Sequence, residues 1–338
     1  VTLRWEDIEY TWKLLDASSP PLDDLRVREL DELEIGGRHP LFAVDGSGQR
    51  QILIPVDTIQ NLQEDTMSSG VQITSRRMID AGRLRLYVVV VCRKPHLNEL
   101  FSIIVTETLN ALSEDPLRPD LTAQKILSRW RELLERAPTE KPDMQTIVGV
   151  FGELWHLRNL VKINPRSVLA WQGPNEARHD ITAGSISLEV KASLARTGRF
   201  IVIHGHEQLE PIGSGKLYLA SMKLERVEES GENLFDLFSA ITKAGGDHTV
   251  LLPLLARTGF TTYTLELCSD IRFRVKETHI YQVEGSFPRI ISDTFVQGKL
   301  PSGVVKVDYI IDLTNEPPYP LTEAAVKALY QELAAMID

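Results

Sequence analysis

Residues 178–191 read Arg178-His179-Asp180-Ile181-Thr182-Ala183-Gly184-Ser185-Ile186-Ser187-Leu188-Glu189-Val190-Lys191. Apolar and polar residues alternate on both sides of Ala183-Gly184, which marks two strands joined by a tight turn. With Ala183 and Gly184 as the turn, Thr182 pairs with Ser185, Ile181 with Ile186 and Asp180 with Ser187, and cross-strand partners share a face. Asp180, Glu189 and Lys191 then project together. The opposite face carries Ile181, Ile186, Leu188 and Val190, an apolar set fit to bury against helices.

Two carboxylates and one ammonium on one spot suit a divalent cation. Asp180 and Glu189 fall on a cross-strand diagonal with Cβ atoms about 7 Å apart, close enough to share one ion. Mg²⁺, or Mn²⁺ in its place, takes oxygen ligands and retains water, so the Val190 backbone carbonyl is a candidate further ligand. Lys191 is placed to orient an activated water or to stabilise charge developing on a phosphoryl oxygen. The pattern is that of metal-assisted phosphodiester hydrolysis.

Upstream, apolar residues at 147, 150, 151, 154, 157 and 161 recur at helical spacing, predicting a helix over 143–163 with one buried stripe. Glu153 lies about 100° round the wheel from Leu154, at the edge of that stripe, with Gly149 one turn behind it. A carboxylate there either reaches a cleft or is an exposed helix-edge residue.

On these residues the chain resembles the PD-(D/E)XK nuclease-like superfamily, with Asp180 as the first acid and Glu189-Val190-Lys191 as the (D/E)xK element. The proline of the nominal motif is absent, and His179 precedes the acid. Glu153 resembles the third carboxylate that the helix before the core hairpin often carries. The Gly152-Glu-Leu-Trp-His-Leu segment, the Trp171-Gln-Gly-Pro stretch and the Leu188-Glu-Val-Lys-Ala-Ser strand together resemble one bacterial subgroup of that superfamily, over most of the chain. The resemblance implies an α/β (α+β) fold with a restriction-endonuclease-like core, a mixed central sheet flanked by helices. It implies a Mg²⁺-dependent DNA endonuclease in which Asp180, Glu189 and Glu153 serve the metal and Lys191 assists the water. It also implies a bacterial restriction or phage-defence setting, with companions such as a methyltransferase or an ATPase. The alternative is a catalytically silent nuclease fold, a scaffold that binds DNA or partner proteins.

A formal net charge of -10 is unusual for a protein that grips phosphates, but the charge is unevenly spread. Residues 141–226 hold eleven Lys/Arg against eight Asp/Glu, a net of +3, which leaves -13 for the remainder. Arg196 and Arg199 follow Lys191 across Thr197-Gly198, either as phosphate contacts beside the cleft or as a solvated turn. Arg178, next to Asp180, is the third candidate phosphate contact.

Other chemistries are poorly supported. His204 and His206 share a strand face, but no third ligand lies at zinc-site spacing. Gly213-Ser-Gly-Lys216 lacks the full spacing and the Lys-Ser/Thr ending of a phosphate-binding loop. Ser193 has no His-acid pair at recognisable spacing. Cys92 and Cys268 sit alone in apolar segments and are expected to be reduced core residues. The longest apolar run, Leu86 to Cys92, is far too short to cross a bilayer. A soluble, cytoplasmic protein is expected.

Along the chain, a helix is predicted at Leu3–Leu15, then strands at Leu41–Val44, Gln51–Pro55, Val71–Arg76 and Leu84–Cys92, with Asp45-Gly-Ser-Gly as a hairpin turn. Residues 1–95 thus read as a small β-rich N-terminal domain. A helical connector over 96–140 (helices at 96–112 and 121–135) leads into the nuclease-like domain, 141–338. Beyond the hairpin, strands are predicted at Phe200–His204 and Lys216–Val227, a helix at Asn233–Ala244, alternating segments at Tyr263–Lys276 and Gly303–Ile311, and a closing helix at Thr322–Met336. Double-strand cutting would need two sites, so a homodimer is a further expectation.

Overall fold

The structure is a computed structural model and describes residues 2–16, 25–59, 62–80, 82–136 and 139–337. It divides into two compact units, residues 1–139 and 140–338.

The first unit holds α1 (Trp5–Asp16), β1 (Arg26–Glu29), β2 (Leu41–Val44), β3 (Arg50–Val56), β4 (Val71–Asp80), β5 (Arg83–Cys92), α2 (Asn98–Glu114) and α3 (Pro119–Arg136). The strands form one antiparallel sheet in the order β1-β2-β3-β5-β4. The Asp45 turn works as its sequence predicts, because Asp45 Oδ1 accepts hydrogen bonds from the Ser47 and Gln49 amides at 2.9 and 3.0 Å. Trp12 of α1 meets Phe42 of β2 edge-on at 4.7 Å and Phe101 of α2 at 6.0 Å, so α1, the sheet and α2 share a core. The stretch 98–114 is therefore built into this unit. Arg50 is buried there, and Glu9 at 2.9 Å and Asp16 at 3.1 Å supply the partners that a buried guanidinium requires.

The second unit holds α4 (Met144–Val161), β6 (Ile181–Ala183), β7 (Ile186–Ser193), β8 (Phe200–His204), β9 (Lys216–Val227), α5 (Leu234–Lys243), α6 (His248–Arg257), α7 (Thr262–Leu267), β10 (Arg272–Gln282), β11 (Asp308–Asp312) and α8 (Glu323–Ala335). Its central sheet runs β10-β9-β7-β6. The β7–β9 pair is parallel and the other two pairs are antiparallel, so the sheet is mixed and the class is α+β. Strands β8 and β11 form a separate antiparallel ribbon.

The sheet is covered on both faces, which decides the environment of the site. On one face α4 lies against Val190 and Ala192 of β7, a packing that Gly152 permits: a Cβ at Gly152 would fall 2.9 Å from Ala192 Cβ and 3.2 Å from Val190 Cγ1. On the other face Leu217, Leu219, Tyr281 and Val283 pack against Ile201, Ile203, Ile311 and Leu313 of the ribbon and its continuation. On that face of β7, Ser187 and Glu189 are as buried as the apolar row behind them.

Helix α4 starts where Asp143 caps it by accepting from the Thr146 amide at 2.8 Å. The C-terminal half differs from the sequence expectation in three places, one of them the alternating stretch 303–311, which is strand only from Asp308. The alternating stretch 263–276 begins as helix α7, because Thr261 and Thr264 form a reciprocal capping box, and strand β10 starts only at Arg272. Helix α6, which contains Pro253, has no counterpart in that expectation. Both cysteines are buried and unbonded to one another, and among the described residues no helix is long and apolar enough to cross a membrane.

Candidate active site

The hairpin at the head of the sheet turns one residue later than its sequence suggests. Gly184 and Ser185 form the turn, and Ile181 pairs with Leu188, Thr182 with Ser187 and Ala183 with Ile186. Gly184 takes a positive φ of 55°, and a Cβ there would meet Met336 Sδ at 2.8 Å. Relative to the expected register the strands slip by two residues, which keeps every side chain on its expected face and changes only its partner. Thr182 Oγ1 and Ser187 Oγ lie 3.3 Å apart on the shared face. Carried one pair further, the register sets Asp180 opposite Glu189 itself, where the expected register made the two a diagonal.

Strand β6 begins only at Ile181, and the Asp180 side chain takes over where its pairing stops. Its Oδ2 accepts from the Val190 amide at 2.7 Å. In an extended strand a residue's N–H and C=O point to the same side, so the Val190 carbonyl faces the same open edge. Lys191 Nζ lies 2.9 Å from Glu189 Oε1, although the two alternate along β7 with one residue between them. Glu189 is 1% exposed, and its Oε2 has no hydrogen-bond partner.

Glu153 arrives from α4. The indole N–H of Trp171, a fully buried side chain, donates to Glu153 Oε2 at 2.7 Å. Between these elements runs the 3-10 turn of Gly173–Asn175, tied down where the Gln172 and Gly173 amides both donate to the Asp180 carbonyl at 2.7 and 2.9 Å. A Cβ at Gly173 would sit 3.0 Å from Asp180 Oδ1 and 3.1 Å from Glu153 Oε2, so both carboxylates border one small space that only glycine leaves open. Nothing in the sequence marks Gly173 as a site element. Trp171 is a buried anchor, and its N–H also holds an acid.

Three carboxylates against one ammonium in a buried setting shift together. Burial and the neighbouring Asp180 push Glu189 up to about 8, with Lys191 pulling the other way. Burial, then Asp180 and Glu189, push Glu153 well above the usual carboxylate range despite the Trp171 hydrogen bond. Asp180 is raised by burial, and its bond from Val190 opposes this. Each acid has one oxygen engaged by the protein: Asp180 by Val190, Glu153 by Trp171 and Glu189 by Lys191. Among the described residues no group of three or more His, Cys, Asp or Glu is arranged to hold a metal ion by itself.

The arginines divide. Arg199 is only 5% exposed, donating from Nη1 to the Ser221 carbonyl and hydroxyl, both at 2.8 Å, and from Nη2 to Glu277 at 2.6 Å. Its guanidinium is thus engaged inside the protein and not presented to a phosphate. Arg178 is partly exposed, 3.8 Å from Glu207. Arg196 is exposed and borders a hollow of about 700 Å³ with Lys223, Arg226 and Lys276. His179 is fully buried, and burial with Arg178 beside it pushes the imidazole down to about 4, so it is neutral.

This hairpin, with an acid before the turn and Glu-x-Lys after it, coincides with a family-level match. A family model described as "Putative PD-(D/E)XK family member, (DUF4420)" matches residues 8–314. The chain belongs to this PD-(D/E)XK family. No curated protein and no solved structure matches it. The family match begins in α1 and ends just past β11, so both compact units belong to what this PD-(D/E)XK family shares. The nuclease-like fold follows from membership together with the mixed sheet.

Proposed function

We propose that this protein hydrolyses DNA phosphodiesters with the help of Mg²⁺ or Mn²⁺. The observation that carries the reading is Glu189 Oε2, a carboxylate oxygen without a partner in a nearly inaccessible side chain, facing other acids. A buried acceptor left unmade costs about 1–3 kcal/mol, more when charged, and a cluster that holds such an atom has a ligand to gain. Asp180, Glu189, the Val190 carbonyl and Glu153 are the groups that would hold the ion. They are all hard oxygens and too few for a closed cage, which suits a cation that keeps several waters. Bound there, the ion would supply Lewis-acid polarisation of a phosphoryl oxygen and a water of lowered pKa.

The chain's own groups divide the remaining work. Lys191, with its ammonium held by Glu189 and its side chain partly open to solvent, is positioned to donate to a phosphoryl oxygen or to orient the attacking water. Trp171 fixes the Glu153 carboxylate, and the burial around Glu189 lowers the local dielectric, strengthening each of these interactions. Arg178 and Arg196 are the phosphate contacts that this reading retains. A cytoplasmic restriction or phage-defence setting, companion proteins and a homodimer that brings two sites to a duplex complete the reading.

The second reading is a silent scaffold, and the Lys191–Glu189 ion pair favours it, since it occupies the ammonium within the protein. The two are separated by incubating plasmid and linear DNA with Mg²⁺, Mn²⁺ or EDTA, using wild type and Lys191→Ala in parallel. Metal-dependent cutting that disappears in the variant supports hydrolysis at this site. DNA binding without cutting by the wild type supports the scaffold.

A further inference from the structure

The β4–β5 hairpin continues past the end of its own sheet. β3 pairs with β5 only as far as Val56 opposite Leu86, whereas β4 and β5 stay paired through Met78–Arg85, Ile79–Leu84 and Asp80–Arg83. On the outer edge of β4, the Asp65–Ile73 bridge and the Glu64 contact to the Ser75 amide at 2.8 Å are the last supports. Among the described residues no strand pairs with either edge of the hairpin's end, which is a two-stranded ribbon.

That ribbon has an unusual surface for an acidic chain. Arg77 and Arg83 are exposed. With Arg38 and Arg85 they line a hollow of about 480 Å³, where Asp57 also lies, 3.2 Å from Arg38. Beside the arginines, Ile79 and Leu84 face each other across the ribbon at 78% and 67% exposure, an apolar pair in open solvent. Two exposed guanidinium groups and an uncovered apolar pair call for a partner that is polyanionic and has flat apolar surface to offer.

We propose that this ribbon docks double-stranded DNA, with Arg77 and Arg83 on backbone phosphates and the Ile79–Leu84 tip in the major groove. A two-stranded ribbon matches the roughly 12 Å width of that groove, and arginine forks match phosphate oxygens in pairs. The deep, narrow major groove of A-form RNA does not admit such a ribbon, so the docking selects duplex DNA over duplex RNA. The choice of nucleic acid as ligand rests on the nuclease reading of the candidate active site, while the surface itself lies in the other compact unit and involves none of its residues.

The test is fluorescence anisotropy of labelled DNA and RNA duplexes with the full chain in EDTA, where binding is read without cutting, across a range of KCl. Arg77→Glu/Arg83→Glu is expected to weaken DNA binding about tenfold or more and to lower the salt slope by about two. Lys13→Glu/Lys125→Glu makes the same change of charge on exposed helix positions and is expected to have a much smaller effect. Arg77→Gln/Arg83→Gln repeats the test with a milder change should the glutamate pair fail to fold. DNA binding unaltered by either ribbon variant, an equal loss in the lysine control, or equally tight ribbon-dependent binding of duplex RNA would overturn the proposal. The two readings fail separately: wild-type cutting with unaltered ribbon-variant binding removes only the ribbon, and ribbon-dependent binding without metal-dependent cutting removes only the hydrolytic site.

Discussion

Trp171 and Glu153 are joined by a 2.7 Å hydrogen bond from a fully buried indole to a carboxylate that burial and two neighbouring acids make reluctant to ionise. The bond links the loop before β6 to helix α4 and sets where Glu153 can reach. If Glu153 serves a metal, as proposed, Trp171 acts through it, and loss of such a donor ordinarily costs ten- to a hundredfold in metal affinity or activity.

Trp171→Phe keeps most of the packing volume and removes the N–H. Expected are a tenfold or greater rise in the Mg²⁺ concentration needed for half-maximal cutting and a loss of about 1–2 kcal/mol in stability. Metal titrations of cleavage, with urea denaturation alongside, check both. An unaltered metal requirement would confine Trp171 to packing.

Glu189 makes stability depend on pH in a stated direction. Its folded-state pKa is raised from the ordinary 4.5 to about 8, so its contribution to stability is complete below 4.5 and is lost as pH rises through 8. In EDTA the wild-type urea midpoint should therefore fall as pH is raised across that window, with Glu153 and Asp180 acting in the same sense. Glu189→Gln, neutral at every pH, should flatten the dependence, raise stability at pH 8 and abolish metal-dependent cutting. A wild-type midpoint that climbs with pH would refute the assignment.

Arg199 is structural in this fold. Arg199→Ala strands the Ser221 carbonyl and leaves Glu277 with only Lys223 at 3.6 Å, and breaking a buried charge pair of this kind costs about 3–5 kcal/mol, reduced here because Glu277 is half exposed and keeps that second partner. Denaturation should therefore show a large loss, with DNA affinity unaltered once the folded fraction is accounted for. A selective loss of DNA affinity at full stability would return Arg199 to the phosphate contacts.

His156 sets an acid limit. It is fully buried on α4 with Nδ1 2.6 Å from the Tyr330 hydroxyl of α8, and burial pushes it down to about 3. A depressed folded pKa gives stability that is complete above the ordinary 6.5 and lost as pH falls from there towards 3, about 1.4 kcal/mol for each tenfold change in proton affinity. His156→Gln should lower stability at neutral pH and show a shallower decline on acidification, read from thermal melts across that range.

The strands and helices nearest the site were legible because each has a strong local signal. β8 and β9 start and end where their alternation does, and α4 begins at the Asp143 cap. Helices α6 and α7 were not legible: α6 contains Pro253, and α7 is set by a threonine capping box inside an apparently alternating run. The hairpin register was half legible. Alternation has a period of two, so it cannot distinguish Asp180 opposite Ser187 from Asp180 opposite Glu189, since both leave the same faces in and out.

By itself the sequence determined which side chains of the hairpin share a face, that Glu153 lies at the edge of a buried helical stripe, and that Asp180, Glu189 and Lys191 meet. Those are consequences of backbone periodicity, which acts over a few residues. Only the tertiary structure decided that the meeting place is buried. The cover on that face of the sheet, over β9 and β10, comes from β8 and β11, about a hundred residues apart in the chain, and Trp171 and Gly173 are brought to the carboxylates by a turn with no periodicity at all. Burial turns three ordinary acids into a cluster with raised pKa values and an oxygen without a partner, and it turns Arg199 from a surface cation into an internal one. Desolvation depends on what lies above a residue, and that is a property of the packed chain.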